Sequence, residues 1–329
     1  MIYYAESESY DVYENLAMEE YLFRILPKGC RCLMLWQNRD TVVIGKYQNA
    51  AEEIDYAYVQ EQGIRVARRL SGGGAVFHDL GNLNYTIIED DILDKGMDFS
   101  WYLVPVLTVL HDFGLEAEFS GRNDILVQGR KVSGCAQYES GGRILHHGCI
   151  LVETDLDRLE RALQPPAAKF QSKSTKSVRS RIATVNSFLN ESIQVSDLKE
   201  KLKETITGEQ ENICHLSFSE VEKKEIRRLR DEKYASWEWI YGYEADYQVH
   251  KQRKYPVCLL SASMNIREGR IESIRFSGDF FGSGEIRELE KKICGLRMDE
   301  NLLDLLEKMD IGHYIQGIGA EELYQLLLE

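Results

Sequence analysis

The residues Arg68-Arg69-Leu70-Ser71-Gly72-Gly73-Gly74-Ala75-Val76-Phe77-His78-Asp79 set three glycines directly after a β-type run. Bare glycine N–H groups let an anion come within hydrogen-bonding distance, and Arg69 adds a fixed positive charge, so the loop reads as a phosphate cradle or as a tight turn. Neither standard nucleotide loop is present. G-x-x-x-x-G-K-[ST] is missing, and Phe77 stands where a dinucleotide fingerprint needs a third small residue, which removes the main support for hydride chemistry. Further along, Asp124 and Lys131 flank a turn at Gly129, so a hairpin would hold a carboxylate and an ammonium on opposed strands, as a catalytic pair or a surface ion pair. His146 and His147 are adjacent on a β-type run and point to opposite faces, which favours structural roles over a shared metal. Finally, Lys169, Lys173, Lys176, Arg179 and Arg181 fall in residues 169–190, which contain no Asp or Glu. That run suits either an anion-facing segment or a solvated, Ser-rich loop.

Helices and strands must position these groups. Apolar residues at helical spacing over 12–26, ended by Pro27 and Gly29, predict an opening amphipathic helix. Short β-type runs at 33–36, 41–44, 64–70, 84–88, 125–127 and 144–152 follow, with helices near 99–113 and 155–163 between them. Such mixing, with hairpin-length connections, predicts an α+β fold around a mixed or antiparallel sheet. Ser219 and Glu222 form an S-x-x-E capping box for a charged helix ending near Tyr234, before Trp237, Trp239 and Tyr241. A chain of 329 residues exceeds the roughly 250–300 at which one core stops growing, so two domains are expected, 1–243 and 244–329. The second reads as strands at 245–250, 257–266 and 270–276, then helices at 284–294, 301–309 and 321–328.

Composition limits the partners. A net charge of -14 opposes nonspecific nucleic-acid binding, and no apolar run approaches the roughly 18 residues of a membrane span. The seven cysteines include no C-x-x-C pair, and the first residues carry no basic or apolar leader pattern, so a reducing cytoplasm is the expected location.

Taken in order, Val43-Ile44-Gly45 with Gln48-Asn49, the glycine block with Gly81-Asn82, Asn123-Asp124-Ile125, Lys131-Val132-Ser133-Gly134, His146-His147-Gly148 and Ser177-Val178-Arg179-Ser180-Arg181 resemble the motif series of the lipoate-protein ligase A family. The resemblance covers the first domain, and the length is similar to members with a small C-terminal domain. It implies a large domain similar to biotin protein ligases and class II synthetases, with ATP and Mg2+ used to activate lipoate. The implied acceptors are lipoyl domains of 2-oxoacid dehydrogenase E2 subunits or the glycine cleavage H protein. Carried over residue by residue, nucleotide contacts fall on Arg69, Gly74, Ala75, Val76, Phe77, Lys131, Ser177, Arg179 and Arg181. Lipoate contacts fall on Arg69, Ser71, Gly73, His78, Lys131 and His147. In this context the basic segment reads as a lid over phosphates.

The chemistry fits those residue types. Joining a carboxylate to the α-phosphorus of ATP brings two anions together, and Lys131 between them would cancel the repulsion. Transfer then needs a neutral amine, and Asp124 is the candidate to orient or deprotonate it. Two rivals stand beside this reading. One is a transferase of the same fold working through a cysteine, for which Cys135 and Cys149 lie nearest; the other is a noncatalytic binder of lipoyl domains.

Overall fold

The computed structural model describes residues 1–90, 98–163, 181–208, 213–241, 249–267, 269–298 and 301–328. Strand β1 (Ile2–Glu6) precedes helix α1 (Val12–Ile25), so the helix expected to open the chain is its second element. Its start is set by Asp11, whose carboxylate accepts from the N–H of Tyr13 at 2.9 Å, satisfying a donor that the first turn leaves unpaired. The chain continues through β2 (Arg31–Trp36), β3 (Thr41–Ile44), α2 (Ala50–Glu53), α3 (Tyr56–Glu61), β4 (Arg65–Arg68), β5 (Val76–His78) and β6 (Asn82–Asp90). Then come α4 (Ser100–Asp112), β7 (Ala117–Phe119), β8 (Asp124–Val127), β9 (Arg130–Ser140), β10 (Arg143–Leu151) and α5 (Leu156–Ala162). Last in this part are α6 (Val195–Thr207), β11 (Ile213–His215), α7 (Glu220–Leu229) and α8 (Trp237–Tyr241). The capping box at Ser219 is present, with the Glu222 carboxylate accepting from the Ser219 N–H at 2.8 Å.

These strands form a mixed eight-stranded sheet in the order β11-β1-β2-β6-β10-β9-β8-β7, and β4-β3-β5 form a small separate sheet. The fold is α+β, as expected. One face of the large sheet packs Leu33, Tyr85 and Ile87 against Leu103 and Val106 of α4 and Leu198 and Leu202 of α6. The other face packs Cys32, Met34 and Ile88 against Leu16 and Leu22 of α1 and Ile226 of α7. The small sheet, capped by Tyr58, Val59 and Leu159, carries the glycine loop between β4 and β5.

The rest of the chain is β12 (Val249–Lys254), β13 (Leu259–Arg267) and β14 (Arg270–Gly278), an antiparallel sheet, followed by α9 (Ile286–Ile293), α10 (Leu302–Leu306), α11 (Ile311–Tyr314) and α12 (Ala320–Leu328). The strand expected at 245–250 is described from Val249, and the domain boundary expected between 243 and 244 lies outside the described residues. This unit has its own core around Met264, Phe276, Leu289 and Leu323, into which Tyr47 reaches from the first part. Tyr47 stacks on Phe280 with ring centres 4.7 Å apart, and its carbonyl accepts from the Gly278 N–H at 3.0 Å. Lys46 pairs with Glu285 at 2.9 Å beside it.

Arg68, fully buried at the end of β4, clamps the wall of the glycine loop. Its guanidinium donates to the carbonyl oxygens of Gly45, Lys46, Gln48, Trp239 and Ile240, tying α8 to the turn after β3. Five buried acceptors depend on one planar group, so Arg68→Met should cost about 3 kcal/mol or more, and Arg68→Lys less, in denaturant unfolding. Unaltered unfolding in Arg68→Met would show that the clamp contributes nothing.

Candidate active site

Asp124 and Lys131 meet, though not as direct cross-strand partners. In the β8–β9 hairpin Asp124 pairs with Gly134 and Lys131 with Leu126, with an irregularity between Ile125 and Leu126. The Lys131 side chain therefore runs along β9 over Gly134 to place Nζ 2.7 Å from Asp124 Oδ1. A Cβ at position 134 would stand 2.6 Å from that Nζ, so the missing side chain of Gly134 gives the lysine the space it occupies here. Next to β9, Ala183 donates its N–H to the Lys131 carbonyl at 2.9 Å, which brings Arg181 to the same place.

A second set of groups lies deeper. Arg69 Nε donates to Ser71 Oγ at 3.0 Å, Ser71 Oγ lies 2.6 Å from His147 Nε2, and His147 Nδ1 lies 2.8 Å from Glu19 Oε1. Thr86 also donates to that Glu19 oxygen, at 2.7 Å, and Trp36 Nε1 donates to Thr86. Every donor in this chain has one consistent direction: the Ser71 hydroxyl donates to His147 Nε2, and His147 Nδ1–H donates to Glu19. A buried guanidinium and a buried carboxyl group are thus linked through Ser71 and His147. Burial holds Arg69 down to about 10, which leaves it charged near neutrality. Sequence reasoning missed Glu19. The signal was an acid on the core side of α1, in helical step with Leu16 and Phe23.

The three glycines are not equivalent, which corrects the picture of a uniformly bare cradle. A side chain on Gly72 would collide with the Phe280 backbone, and the Gly73 N–H donates to the Phe280 carbonyl at 3.3 Å beneath the Phe281 ring. Arg69 spends its guanidinium on the carbonyls of Val43, Gly72 and Gly74. Two glycines therefore serve close packing, while Gly74 faces open space.

Two clefts meet at Lys131. The smaller is lined by Leu16, Trp36, Arg69, His78, Asn84 and His147. The larger is lined by Gly74, Ala75, Val76, Phe77, Asp124 and Arg181. Lys131, Gly134 and Cys149, with Gly74, Ala75 and Val76 of the glycine loop, belong to both. The structure thus brings together all the described site candidates except Ser71 and Gly73, which stand behind the walls as supports. Ser177, Arg179 and the expected lid segment lie outside the described residues, apart from Arg181 onward. His146, on the opposite face from His147, stacks on Tyr102 at 4.8 Å and accepts a structural role.

The pattern of the lipoyl protein ligase A/B catalytic domain matches residues 11–207, and that of the bacterial lipoate protein ligase C-terminus matches residues 244–327. A lipoate-protein ligase of Bacillus subtilis is 38% identical over 95% of this chain and 96% of its own. The chain belongs to the lipoate-protein ligases. Among solved structures, a bipartite ligase from Thermoplasma acidophilum, described with its E2 lipoyl domain, is 32% identical with a TM-score of 0.64, covering 75% of this chain and 98% of that one. A lipoate-protein ligase A bound with ATP is 29% identical with a TM-score of 0.60, covering 73% and 98%.

Membership of the lipoate-protein ligases agrees with the thiols. Burial pushes both Cys135 and Cys149 up from the ordinary thiol value, so neither is poised as a thiolate nucleophile, and Cys135 Sγ donates to the Asn123 carbonyl at 3.2 Å. No helix among the described residues is long and apolar enough to cross a membrane.

Two outcomes follow for this ligase. Gly134→Ala should fold but push Lys131 off the meeting point of the clefts, lowering adenylate formation about a hundredfold, the usual effect of an ångström-scale misplacement; wild-type rates in pyrophosphate exchange would refute the steric argument. Burial holds His78 neutral down to about 3 and His146 well below its usual value, whereas the unfolded chain takes up those protons near 6.5. Their contribution is therefore complete above pH 6.5 and drains away as pH falls from there towards 3. Denaturant titrations at pH 6.5 and 5.5 should differ by about 2 kcal/mol from these two groups, and equal midpoints would count against their neutral burial.

Proposed function

We propose that this ATP-dependent lipoate-protein ligase binds the acid in the cleft of Trp36, His78 and His147 and the nucleotide in the cleft of Gly74, Ala75, Val76 and Phe77, with Lys131 serving both. The observation that carries this reading is the position of one ammonium, over Gly134, where the two clefts join. An ammonium has three N–H donors. One is directed by Asp124; the other two are available to the lipoate carboxylate and an α-phosphate oxygen. Holding these anions together aligns the carboxylate oxygen with the α-phosphorus, and attack expels pyrophosphate to leave lipoyl-AMP. Arg181 adds a cation to the nucleotide cleft, and Ser177 and Arg179, which lie outside the described residues, are assigned to the nucleotide from the motif series alone.

ATP enters as its magnesium complex, the ion supplying charge neutralisation at the phosphates. Among the described residues no cluster of three His, Cys, Asp or Glu side chains could hold a metal by itself, so no resident metal site is proposed. The catalytic part is assigned to residues 1–243 and a small accessory domain to 244–329, working in the cytoplasm.

In the second step the acceptor amine attacks the acyl carbon and AMP leaves. An ordinary lysine is neutral in about one molecule per few thousand at pH 7, so the step needs help. Asp124 stands at the lysine, and with AMP departing it is placed to take the amine proton. The acceptor is a lipoyl domain, of an E2 subunit or the glycine cleavage H protein. Incubation with ATP, magnesium, lipoate and each acceptor should add one lipoyl mass to the acceptor, and no addition to any of them would refute the assignment. In Asp124→Asn, transfer from preformed lipoyl-AMP should slow about a hundredfold, while pyrophosphate exchange falls less than about tenfold. Equal losses in both steps would remove Asp124 from proton transfer.

A further inference from the structure

The acid cleft contains polar groups that the chemistry at Lys131 does not use. Asn15 Nδ2 donates to the carbonyls of Ser9 and Gln37 at 3.0 and 2.9 Å and to Asn38 Oδ1 at 3.0 Å. Those carbonyls fix the Asn15 amide, so the oxygen of Asn38 faces Asn15 and its Nδ2 faces His78 Nδ1 at 3.1 Å. A donor facing Nδ1 requires that nitrogen to be bare, and a neutral imidazole then carries its hydrogen on Nε2. Burial beside Arg69 and His147 keeps the ring neutral. His78 Nε2 is buried with no partner. Asn84 repeats the pattern: its Oδ1 accepts from Asn82 at 3.0 Å, and its Nδ2 is buried with no partner. Both side chains line the same cleft, together with Trp36 and Leu16.

Two unpaired N–H donors in a buried cleft are costly unless the occupant brings acceptors. With the carboxylate held at Lys131 under the proposed function, the remainder of the acid must carry them. A saturated fatty acid ends in a methyl group, which has none. The dithiolane ring of lipoate ends in two sulfurs, which are large, weak acceptors. We infer that His78 and Asn84 are specificity-determining residues, reading the ring sulfurs of lipoate through N–H···S hydrogen bonds and so selecting it over a hydrocarbon of the same shape. The inference rests on the ligase reading and deepens it.

The test compares lipoate with 5-cyclopentylpentanoate, which keeps the chain and the five-membered ring but has no sulfur, with kcat/KM from ATP–pyrophosphate exchange for each. The wild-type enzyme should prefer lipoate by about tenfold or more. His78→Phe and Asn84→Leu should each lower that preference about fivefold, the scale of one modest hydrogen bond. His78→Gln, which keeps an N–H at similar reach, should restore most of it. Because both acids are measured in the same protein, a folding defect lowers the two rates together and leaves their ratio alone. Equal wild-type use of the two acids, or a ratio that His78→Phe and Asn84→Leu leave unchanged, overturns the inference while the ligase assignment stands. Exchange with neither acid overturns both.

Discussion

In the proposed chemistry one ammonium has to remain accessible to two anions and yet be held still, and the geometry around Lys131 suits that requirement. Lys131 meets it with a carboxylate on one side and no side chain beneath it. The hairpin makes this possible through its irregular pairing, which puts Asp124 opposite Gly134 instead of opposite the lysine. A regular ladder would leave the two charges facing each other across the strands as an ordinary surface pair of small energetic value. Displaced along the strand, the ammonium instead lies across the glycine and points to the seam between the clefts.

The same logic of neutralisation runs through the interior. Arg69 and Glu19 are both buried, and neither touches the other. Ser71 and His147 carry hydrogen bonds between them, so the Glu19 carboxyl on α1 is linked to the Arg69 guanidinium at the glycine loop. Unpaired, either would be expensive to bury. The result is that the floor of the acid cleft, the glycine loop and strand β10 hold fixed positions relative to one another.

Much of this was legible in the residues. The Gly129 turn predicted the Asp124–Lys131 hairpin, the alternation of a strand predicted opposite faces for His146 and His147, and the Ser219 box marked a helix start that is present. Short elements were not legible, because three residues such as Val76–His78 or Ala117–Phe119 show no period. Helix α6 was missed although Leu198, Leu202 and Ile206 recur at helical spacing, because its charged face hid the pattern. Glu19 could be placed on the core side of α1, yet its partner lies 128 residues away, and no local pattern reports such a contact. The unequal use of the three glycines was equally hidden, since it depends on a segment that follows them by some two hundred residues.

That last contact bears on how the small C-terminal unit belongs to the site. Phe280 gives its carbonyl to the Gly73 N–H and its ring to Tyr47, while Phe281 leaves its own unit to pack on Phe99 in the first core. Arg122, just before the β8–β9 hairpin, lies over the Phe281 ring and donates to the Asp279 carbonyl at 3.2 Å. One four-residue stretch thus touches the glycine loop, the turn after β3 and the approach to Asp124. An apolar ring at a junction supplies attraction without direction, whereas the carbonyl of Phe280 fixes the height of Gly73. Gly74, one residue further on, takes its place at the seam from that contact, so the geometry around Lys131 is completed by residues from both ends of the chain.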